Sequence, residues 1–246
     1  MEAAQKAVLT GAAGEIGRAL TQQLIDQGAR VIGVDVNESG LADLANSYGD
    51  AFSPIVADLG DEASLSECCQ QITKDHGTID VLINNAGIVT HSKFLETTLQ
   101  DLRYAMTLNF ESAYLMSQKL IPGMIDAKRG RIINVSSFAG RSGGLLAGTA
   151  YSLSKSAMIG LTFSLAREFG PKGISVNAVA PAFVRSEMMS SAFKNPQDEV
   201  QLVAAIPLRR LCDPDEVAST IAYLASAPAG FINGEVVDIN GGIQCD

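Results

Sequence analysis

The amino-acid sequence predicts a single-domain α/β fold in which helices cover both faces of a parallel β-sheet. Short apolar segments alternate with helical patterns of ten or more residues along the chain, which is typical of βαβ units. The segments are continuous, as in Val81-Leu82-Ile83, which indicates strands buried on both faces. The 246 residues are 47% hydrophobic and contain no obvious linker, so we expect one core and one domain over residues 1–246.

The elements follow in a regular order. The predicted strands are Lys6–Leu9, Arg30–Val34, Phe52–Ala57, Ile79–Ile83, Arg131–Val135, Ser175–Val179 and Val236–Ile239. The predicted helices are Ile16–Gln27, Leu41–Tyr48, Glu62–Lys74, Leu99–Ala127, Ala150–Gly170 and Pro214–Ala225. We expect Pro122-Gly123 to disturb the last turns of the fourth helix. The least regular segment, about 182–207, is predicted to be a flap over a site.

Composition excludes several classes of protein. The formal net charge is −9, which argues against nucleic acid or an anionic membrane as the main partner. We expect no membrane helix and no secretory signal, since no apolar run is long enough. The four cysteines form no CxxC pair and no metal-like cluster with the two histidines, so we expect reduced thiols, no metal and a cytoplasmic protein.

A glycine-rich turn follows the first strand. Gly11, Gly14 and Gly17 separate this strand from the first helix, and Glu15 and Ile16 complete the turn. Glycine there lets the backbone approach a pyrophosphate, whose charge is stabilised at the helix N-terminus. The strand before and the helix after are the context that this mechanism requires. The fold is therefore predicted to be a doubly wound Rossmann fold with a dinucleotide site.

Asp35 ends the second strand, 18 positions after Gly17. A carboxylate at this point can accept hydrogen bonds from both hydroxyls of an adenosine ribose and would repel a 2′-phosphate. Neither Val36 nor Asn37 is a cation, so we expect no charge placed to receive that phosphate, and NAD as the cofactor. The alternative is that Asp35 only caps the helix near Glu38.

Tyr151 and Lys155 are four residues apart on a predicted helix. Residues at this spacing share one helix face. An ammonium beside a phenol favours the phenolate and lowers its pKa, which makes the tyrosine a base for an alcohol proton near neutral pH. Tyrosine and lysine at this spacing also occur by chance on helix surfaces.

Together these features resemble the short-chain dehydrogenase/reductase family in its 250-residue form. Five motifs carry the resemblance, and they occur in the family's order over the whole chain. They are Thr10-Gly11-Ala12-Ala13-Gly14-Glu15-Ile16-Gly17, Asn84-Asn85-Ala86-Gly87, Leu108-Asn109-Phe110, Ser136-Ser137 and Tyr151-Ser152-Leu153-Ser154-Lys155. The resemblance implies hydride transfer between an alcohol carbon and nicotinamide, with Tyr151 as acid/base.

The resemblance also implies roles for further residues. Ser137 is expected to bind the substrate oxygen, and Asn109 to hold a water behind Lys155. Lys155 is expected to bind the nicotinamide ribose. The remaining cofactor contacts implied are Asp58, Leu59, Asn85, Ala86, Gly87, Pro181, Val184 and Ser186. Taken singly, Ser137 also suits a turn at a strand end, and Asn109 also suits a residue that satisfies backbone groups.

The chain departs from the family pattern in places. Glu15 stands where the family usually has a glycine, so its carboxylate has to point to solvent. The Ser137–Tyr151 spacing of 14 is one longer than expected. Either the glycine-rich loop between them absorbs the extra residue, or Ser136 is the catalytic serine. Ala182 replaces an expected glycine.

The substrate is the least determined part of the interpretation. Arg141 and Arg185 are candidate clamps for a substrate anion, and Met188 is a candidate apolar contact. We expect a small polar secondary alcohol, either a polyol or sugar alcohol or a hydroxy acid or sulfonate; hydrophobic alcohols stay open. The alternatives are a reductase of carrier-bound 3-oxoacyl groups and a cofactor-binding protein without chemistry. We also expect a homo-oligomer, a tetramer, partly because Met106–Ile125 and Met158–Phe169 are apolar on more than one face.

Overall fold

The computed structural model describes residues 4–186, 189, 193 and 195–245. Its centre is one sheet of seven parallel strands in the order β3-β2-β1-β4-β5-β6-β7. The strands are β1 Lys6–Thr10, β2 Arg30–Asp35, β3 Phe52–Val56, β4 Val81–Asn84, β5 Gly130–Val135, β6 Ile174–Pro181 and β7 Val236–Ile239. All seven strands were predicted, with ends that differ by two residues or fewer.

Helices connect the strands and cover both faces of the sheet. In the described part of the chain they are α1 Glu15–Asp26, α2 Glu38–Tyr48, α3 Glu62–His76, α4 Leu99–Met106, α5 Ser112–Ala127, α6 Phe138–Ser142, α7 Thr149–Phe169, α8 Pro196–Ala205 and α9 Pro214–Ala225. A π-helical turn, Thr107–Glu111, joins α4 to α5. Crossover helices between parallel strands explain why the strands are buried on both faces, as predicted.

The core has two layers, one on each face of the sheet. Successive side chains of a strand point to opposite faces, so Leu9 packs in the layer of α1 and α9 while Val8 packs in the layer of α3 and α5. Leu20 of α1 and Ile221 of α9 are fully buried in the first layer, and Met116 of α5 is fully buried in the second. The doubly wound Rossmann fold predicted from the sequence is confirmed.

Two expectations about helices are wrong. The helix predicted to be disturbed at Pro122 runs through it to Ala127, because Leu120, Ile121 and Met124 are buried and hold that stretch against the sheet. The irregularity lies earlier, at Thr107–Glu111, where no proline or glycine signals it. The short helix α6, directly after β5, was not predicted.

The sheet order places a binding crevice. The strand order reverses between β1, which leads to β2 and β3, and β4, which leads to β5, β6 and β7. In open parallel sheets, ligands bind outside the carboxyl ends of the strands at such a reversal. Thr10, Asp35, Asn84 and Val135 are the last residues of the four strands around this point.

The tetramer stays a prediction, which apolar side chains on α5 and α7 support. Tyr114 of α5 and Leu153 and Phe163 of α7 are each about half exposed in the single chain, and exposed apolar clusters mark interfaces. Light scattering at micromolar concentration is expected to give about four times the 25.8 kDa chain mass. Phe163→Asp is expected to lower that mass, whereas Val56→Asp, at an exposed apolar residue of β3, leaves it unchanged. A monomer mass for the unmodified chain contradicts the prediction.

Candidate active site

A cavity of about 660 Å³ lies at the carboxyl ends of the strands, across the reversal in strand order. Its described walls come from the glycine turn, the ends of β2 and β4, the residues after β5, helix α7 and the loop after β6. At one end they include Gly11, Gly14, Glu15, Ile16, Gly17, Asp35, Asp58, Leu59, Asn85, Ala86 and Gly87. At the other they include Ser137, Tyr151, Lys155, Pro181, Val184 and Ser186.

Two glycines of the turn are required by close packing within the protein. Gly11 has a positive φ of 66°, and a Cβ there would lie 2.9 Å from the Asn85 amide nitrogen. A Cβ on Gly17 would lie 2.1 Å from the Gly11 carbonyl oxygen and 2.7 Å from the Ala12 backbone. The Asn85 amide is held by two hydrogen bonds and the neighbours of Gly17 are backbone atoms, so both positions need glycine.

Gly14 is different because its Cα faces open space. A Cβ there would approach only the Gly11 carbonyl oxygen, at 3.6 Å. Gly14 is the N-cap of α1 and has no side chain, so the cap residue itself occupies none of the N-terminal N–H groups at the cavity wall. With the helix dipole they form a site for an anion such as a pyrophosphate. Glu15, which also lines the cavity, is exposed to solvent as its position requires.

Asp35 faces the cavity from the end of β2 with a fixed carboxylate. Its Oδ2 accepts a hydrogen bond from the Ala13 N–H at 2.9 Å, and its Oδ1 accepts one from the Asn37 N–H at 2.9 Å. The cap of α2 is Asn37, whose side chain accepts from the Gly40 N–H. Asp35 therefore does not cap the helix, and each carboxylate oxygen keeps a further lone pair for a ligand hydroxyl.

One cation, Arg18, is linked to Asp35 through the glycine turn, and the expectation that no cation is placed to receive a 2′-phosphate stays a prediction. The Arg18 guanidinium donates to the Ala13 carbonyl oxygen at 2.9 Å, so it holds the residue whose N–H binds Asp35. It also lies 3.7 Å from the Asp43 carboxylate. Arg18 does not line the cavity in the described part of the chain. Arg18 was missed because it comes directly after Gly17 in the sequence, far from Asp35, and is linked to Asp35 only through Ala13.

The end of β4 is fastened to the glycine turn by polar contacts. The Asn85 amide donates to the carbonyl oxygens of Thr10 and Gly11 at 3.0 and 3.1 Å. The Thr10 hydroxyl accepts from the N–H groups of Asn85 and Ala86, each at 3.0 Å. Asn85 thus supports the cavity wall, and Thr10, to which the sequence analysis gave no role, supports it equally.

Asp58 and Leu59 form the wall beside β2 and β3. The Asp58 carboxylate accepts from the Gly60 N–H at 2.8 Å, and its own N–H donates to the Ser64 hydroxyl at 3.0 Å. Leu59 is buried, with 6% exposure. A carboxylate held beside an apolar surface suits the polar edge and flat face of a purine ring, and the contact of Asp58 and Leu59 with a cofactor stays a prediction.

Ser137, Tyr151 and Lys155 meet at the other end of the cavity. The Ser137 hydroxyl donates to the Pro181 carbonyl oxygen at 3.4 Å and is close enough to the Tyr151 hydroxyl to lower the pKa of the tyrosine. The Lys155 Nζ donates to the Val135 carbonyl oxygen at 2.8 Å and lies 5.9 Å from the centre of the Tyr151 ring. Helical spacing brings the tyrosine and the lysine to one face of α7, as expected, and β5 delivers the serine opposite them.

The choice between the two serines is decided by their partners. The Ser136 hydroxyl donates to the Lys155 carbonyl oxygen at 2.7 Å and is buried, so it holds α7 to the end of β5. Ser137 is the serine that touches Tyr151, although it also caps α6 by accepting from the Ala139 N–H. The extra residue before Tyr151 is accommodated by α6 and by Gly143 and Gly144, both at positive φ.

Burial dominates the protonation of this group. It raises the pKa of Tyr151, an effect that the hydrogen bond from Ser137 partly offsets. Burial also lowers the pKa of Lys155 to about 8, since a charged amine is poorly solvated there. The expected lowering of the Tyr151 pKa by Lys155 is therefore not found in the chain alone. Tyr151 is held protonated, ready to donate.

Asn109 lies in the π-helical turn and is 1% exposed. Its Oδ1 accepts from the Ile88 N–H at 2.8 Å, and its Nδ2 donates to the Ile88 carbonyl oxygen and the Ser154 hydroxyl. A Cβ on Gly87 would lie 2.9 Å from Asn109 Oδ1 and 3.2 Å from Lys155 Nζ, so both side chains approach the same glycine. Asn109 satisfies backbone groups of the loop after β4; its role in holding a water stays a prediction.

The two arginines predicted to bind a substrate anion lie outside the described walls of the cavity. Arg141 forms an ion pair with Asp238 of β7 at 2.7 Å, and Arg185 forms one with Asp213 at 3.2 Å. Neither arginine is among the described residues that line the cavity. Both ion pairs join residues far apart in the sequence, so the local pattern gave no signal of them. Met188 lies outside the described residues.

Other residues form the substrate end. They share an apolar character, apart from one histidine: Phe138, Leu145, Leu146, Ala147, Phe183, Met189 and His91. Apart from His91, they come from the residues after β5 and from the segment after β6, and their individual directions depend on α6 and on the turn after it. Among the described lining residues, Lys155 is the one lysine or arginine.

The described residues offer neither a metal-binding cluster nor a membrane-spanning helix. No group of three or more histidine, cysteine, aspartate or glutamate side chains there is arranged to hold a metal ion. None of the described helices is long and apolar enough to cross a membrane. All four cysteines are free.

Comparison with known proteins identifies the family. A family model described as enoyl-(acyl carrier protein) reductase, of the short-chain alcohol dehydrogenase type, matches residues 11–244. The chain is 36% identical to 3-oxoacyl-acyl-carrier-protein reductase FabG of Vibrio cholerae over 238 residues, 96% of each chain. It is also 36% identical to oxidoreductase UcpA of Salmonella typhimurium, over 96% of this chain and 93% of that one.

A solved structure agrees with this assignment. The structure described as a putative NAD(P)-dependent gluconate 5-dehydrogenase from Beutenbergia cavernae, with NADP bound at low occupancy, superposes with a TM-score of 0.91. It is 30% identical in sequence and covers 98% of this chain and 97% of its own. With the glycine turn, the strand order and the Ser137, Tyr151 and Lys155 cluster, these matches show that the chain belongs to the short-chain dehydrogenase/reductase family of oxidoreductases.

Proposed function

We propose that this oxidoreductase uses NAD to interconvert a secondary alcohol and its ketone by direct hydride transfer. One observation carries the proposal: the neighbouring hydroxyls of Ser137 and Tyr151, with Lys155 beside them, lie in the same cavity as Asp35 and the N-terminus of α1. The first set is suited to move an alcohol proton. The second set fits the ribose and pyrophosphate of a dinucleotide.

The residues divide the chemistry between them. A bound nicotinamide supplies the hydride acceptor or donor. The Tyr151 hydroxyl gives a proton to the ketone oxygen in reduction. In oxidation the hydroxyl first loses its proton to solvent, and the resulting phenolate takes the proton of the alcohol. The Ser137 hydroxyl bonds to the same substrate oxygen as its charge changes. The Lys155 ammonium uses one N–H on Val135, which leaves two donors for a ribose hydroxyl and a water.

We predict a preference for NAD over NADP. The carboxylate of Asp35 is fixed by two backbone N–H groups and would lie against a 2′-phosphate. The ratio of kcat/KM with NAD to that with NADP is expected to be well above one, and to fall at least about tenfold in the double variant Asp35→Ser, Val36→Arg. Asp58→Ser is the matched control, because it removes a carboxylate from the same cavity and is expected to affect both cofactors alike. Equal or better efficiency with NADP in the unmodified protein would overturn the preference.

The substrate is proposed to be an uncharged secondary alcohol. The expectation of a hydroxy acid or sulfonate rested on Arg141 and Arg185, which are paired with Asp238 and Asp213 outside the cavity. Polyols and sugar alcohols remain within the proposal. The name of the Beutenbergia cavernae relative includes gluconate, a charged sugar acid, and so favours the hydroxy-acid alternative. The apolar walls at Leu145, Leu146 and Phe183 also favour alcohols with an apolar substituent.

Reduction of a carrier-bound 3-oxoacyl group is the second candidate function. The name of the Vibrio cholerae relative and the apolar walls favour it. The deciding experiment is a turnover screen with NAD(H) and NADP(H) against polyols, hydroxy acids, alkan-2-ols and a 3-oxoacyl thioester. Highest kcat/KM with an uncharged secondary alcohol supports the first function, and activity confined to the thioester supports the second. Tight cofactor binding without any turnover would favour a binding protein.

Two further expectations belong to this proposal. We propose a cytoplasmic enzyme, which the four free thiols support. We propose a small molecule as its partner and not nucleic acid, since a net charge of −9 opposes binding to phosphate backbones.

A further inference from the structure

A second, small cavity adjoins the main one. It has a volume of about 70 Å³ and lies between the loop after β6, the stretch from Ile206 to Cys212 and the end of β7. Ala182 and Phe183 line both cavities, so this dipeptide is the wall that they share. The far wall of the small cavity combines apolar Ile206, Leu208 and Leu211 with the ion pair of Arg210 and Glu216.

Phe183 adopts a backbone conformation that phenylalanine rarely adopts. Its φ is +37°, in the left-handed region that favours glycine. The Phe183 carbonyl oxygen accepts from the Cys212 N–H at 3.1 Å, and the N–H of the preceding Ala182 donates to the Ile239 carbonyl oxygen at 2.9 Å. The surrounding backbone therefore holds the wall in place, and such enforced conformations concentrate at functional sites.

The Phe183 ring stands next to the reacting end of the main cavity. Its centre lies 6.2 Å from that of the Phe138 ring, with a tilt of 57° between the planes. Phe138 is buried and directly follows Ser137, the residue that touches Tyr151. The aromatic pair thus bounds the space next to the substrate oxygen on the side of the small cavity.

We propose that Phe183 is a specificity-determining residue that limits the size of the substituent on the reacting carbon. Its ring separates the substrate space from the 70 Å³ cavity behind it. Removal of the ring joins the two spaces and lets a longer apolar substituent extend towards Ile206, Leu208 and Leu211. This proposal rests on the proposed alcohol–ketone activity and goes beyond it by naming the residue that sets chain length.

The test uses two variants at this position and a series of methyl ketones from butan-2-one to decan-2-one. Phe183→Ala removes the ring and keeps the left-handed strain, whereas Phe183→Gly removes both. In each variant, kcat/KM for the longest ketone relative to the shortest is expected to rise at least about tenfold, as is usual when an apolar pocket gains room for methylenes. Phe231→Ala, at a fully exposed phenylalanine, is expected to keep the selectivity of the unmodified enzyme.

Leu146→Ala tests whether the selectivity changes because the wall at Phe183 is opened or only because the main cavity becomes larger. Leu146 lines the main cavity but not the small one. An equal gain for long ketones in Leu146→Ala, or unchanged selectivity in both Phe183 variants, would overturn the proposal. Crystal structures of the Phe183 variants give a readout that does not depend on turnover, since one continuous cavity is expected and two separate cavities would also overturn it. If the two cavities are joined in the Phe183 variants but no ketone is turned over, the result counts against the proposed activity. The role of Phe183 as a wall between the cavities is then still supported.

Discussion

Tyr151→Phe is expected to lower kcat by about 10²–10⁴-fold while the affinity for NAD stays within a factor of about two. The substitution removes the hydroxyl that bonds to Ser137 and keeps the ring that lines the cavity. General acid–base catalysis by one positioned group contributes a rate factor of about this size. The cofactor contacts at Asp35 and at the N-terminus of α1 are formed by other parts of the chain.

The measurement pairs steady-state turnover with calorimetric binding of NAD. Tyr223→Phe is the matched control, since Tyr223 is half exposed on α9 and does not line the cavity. We expect it to be as active as the unmodified enzyme. If Tyr151→Phe retained more than about a tenth of the rate, another group would have to be the acid/base.

Of two alanine substitutions in the glycine turn, one is expected to lower the stability of the protein and the other to lower its affinity for NAD. Gly17→Ala places a Cβ 2.1 Å from the Gly11 carbonyl oxygen and so forces α1 away from the turn. Overpacking of this kind costs about 1–3 kcal/mol or more in the free energy of unfolding. Gly14→Ala meets only one atom, at 3.6 Å, and its φ of −74° suits alanine. It is expected to fold with nearly unchanged stability but to lose affinity for NAD at least about tenfold, because the methyl group occupies the approach to the helix N-terminus.

Urea unfolding without ligand and calorimetric titration with NAD distinguish the two variants. The expected pattern is lost stability for Gly17→Ala and lost affinity at retained stability for Gly14→Ala. Unchanged NAD affinity in Gly14→Ala would mean that no pyrophosphate lies against this helix end. That result would also remove the main support for a dinucleotide in the cavity.

The features predicted well from the sequence are those with short-range causes. Continuous apolar segments such as Val81–Asn84 are strands because helices cover both faces of the sheet. Tyr151 and Lys155 share a helix face because of their spacing. Asp35 reaches the cavity because β2 ends at the point where the strand order reverses. In each case the cause lies within one element or in the order of the elements.

The features that were missed depend on contacts between distant residues. Arg141 reaches across to Asp238, 97 positions later, and so leaves the cavity. Arg18 contacts Asp35 only through Ala13. The substrate walls depend on where α6 and the following turn direct Leu145 and Leu146. No local pattern carries this information, and that is why the substrate was predicted less well than the cofactor site.

The geometry of the site depends on the number of residues in the π-helical turn Thr107–Glu111. Such a turn corresponds to one extra residue within an α-helix, and one residue is about 100° of rotation. The turn therefore rotates α5 about the helix axis relative to α4. Residues that share a face across the two helices do not follow a single 3.6-residue repeat. It also directs Asn109 towards Ile88 and Ser154 at once. Deletion of one residue from this turn would replace no other residue of the site. It would nevertheless rotate Asn109 away from the loop beside Lys155.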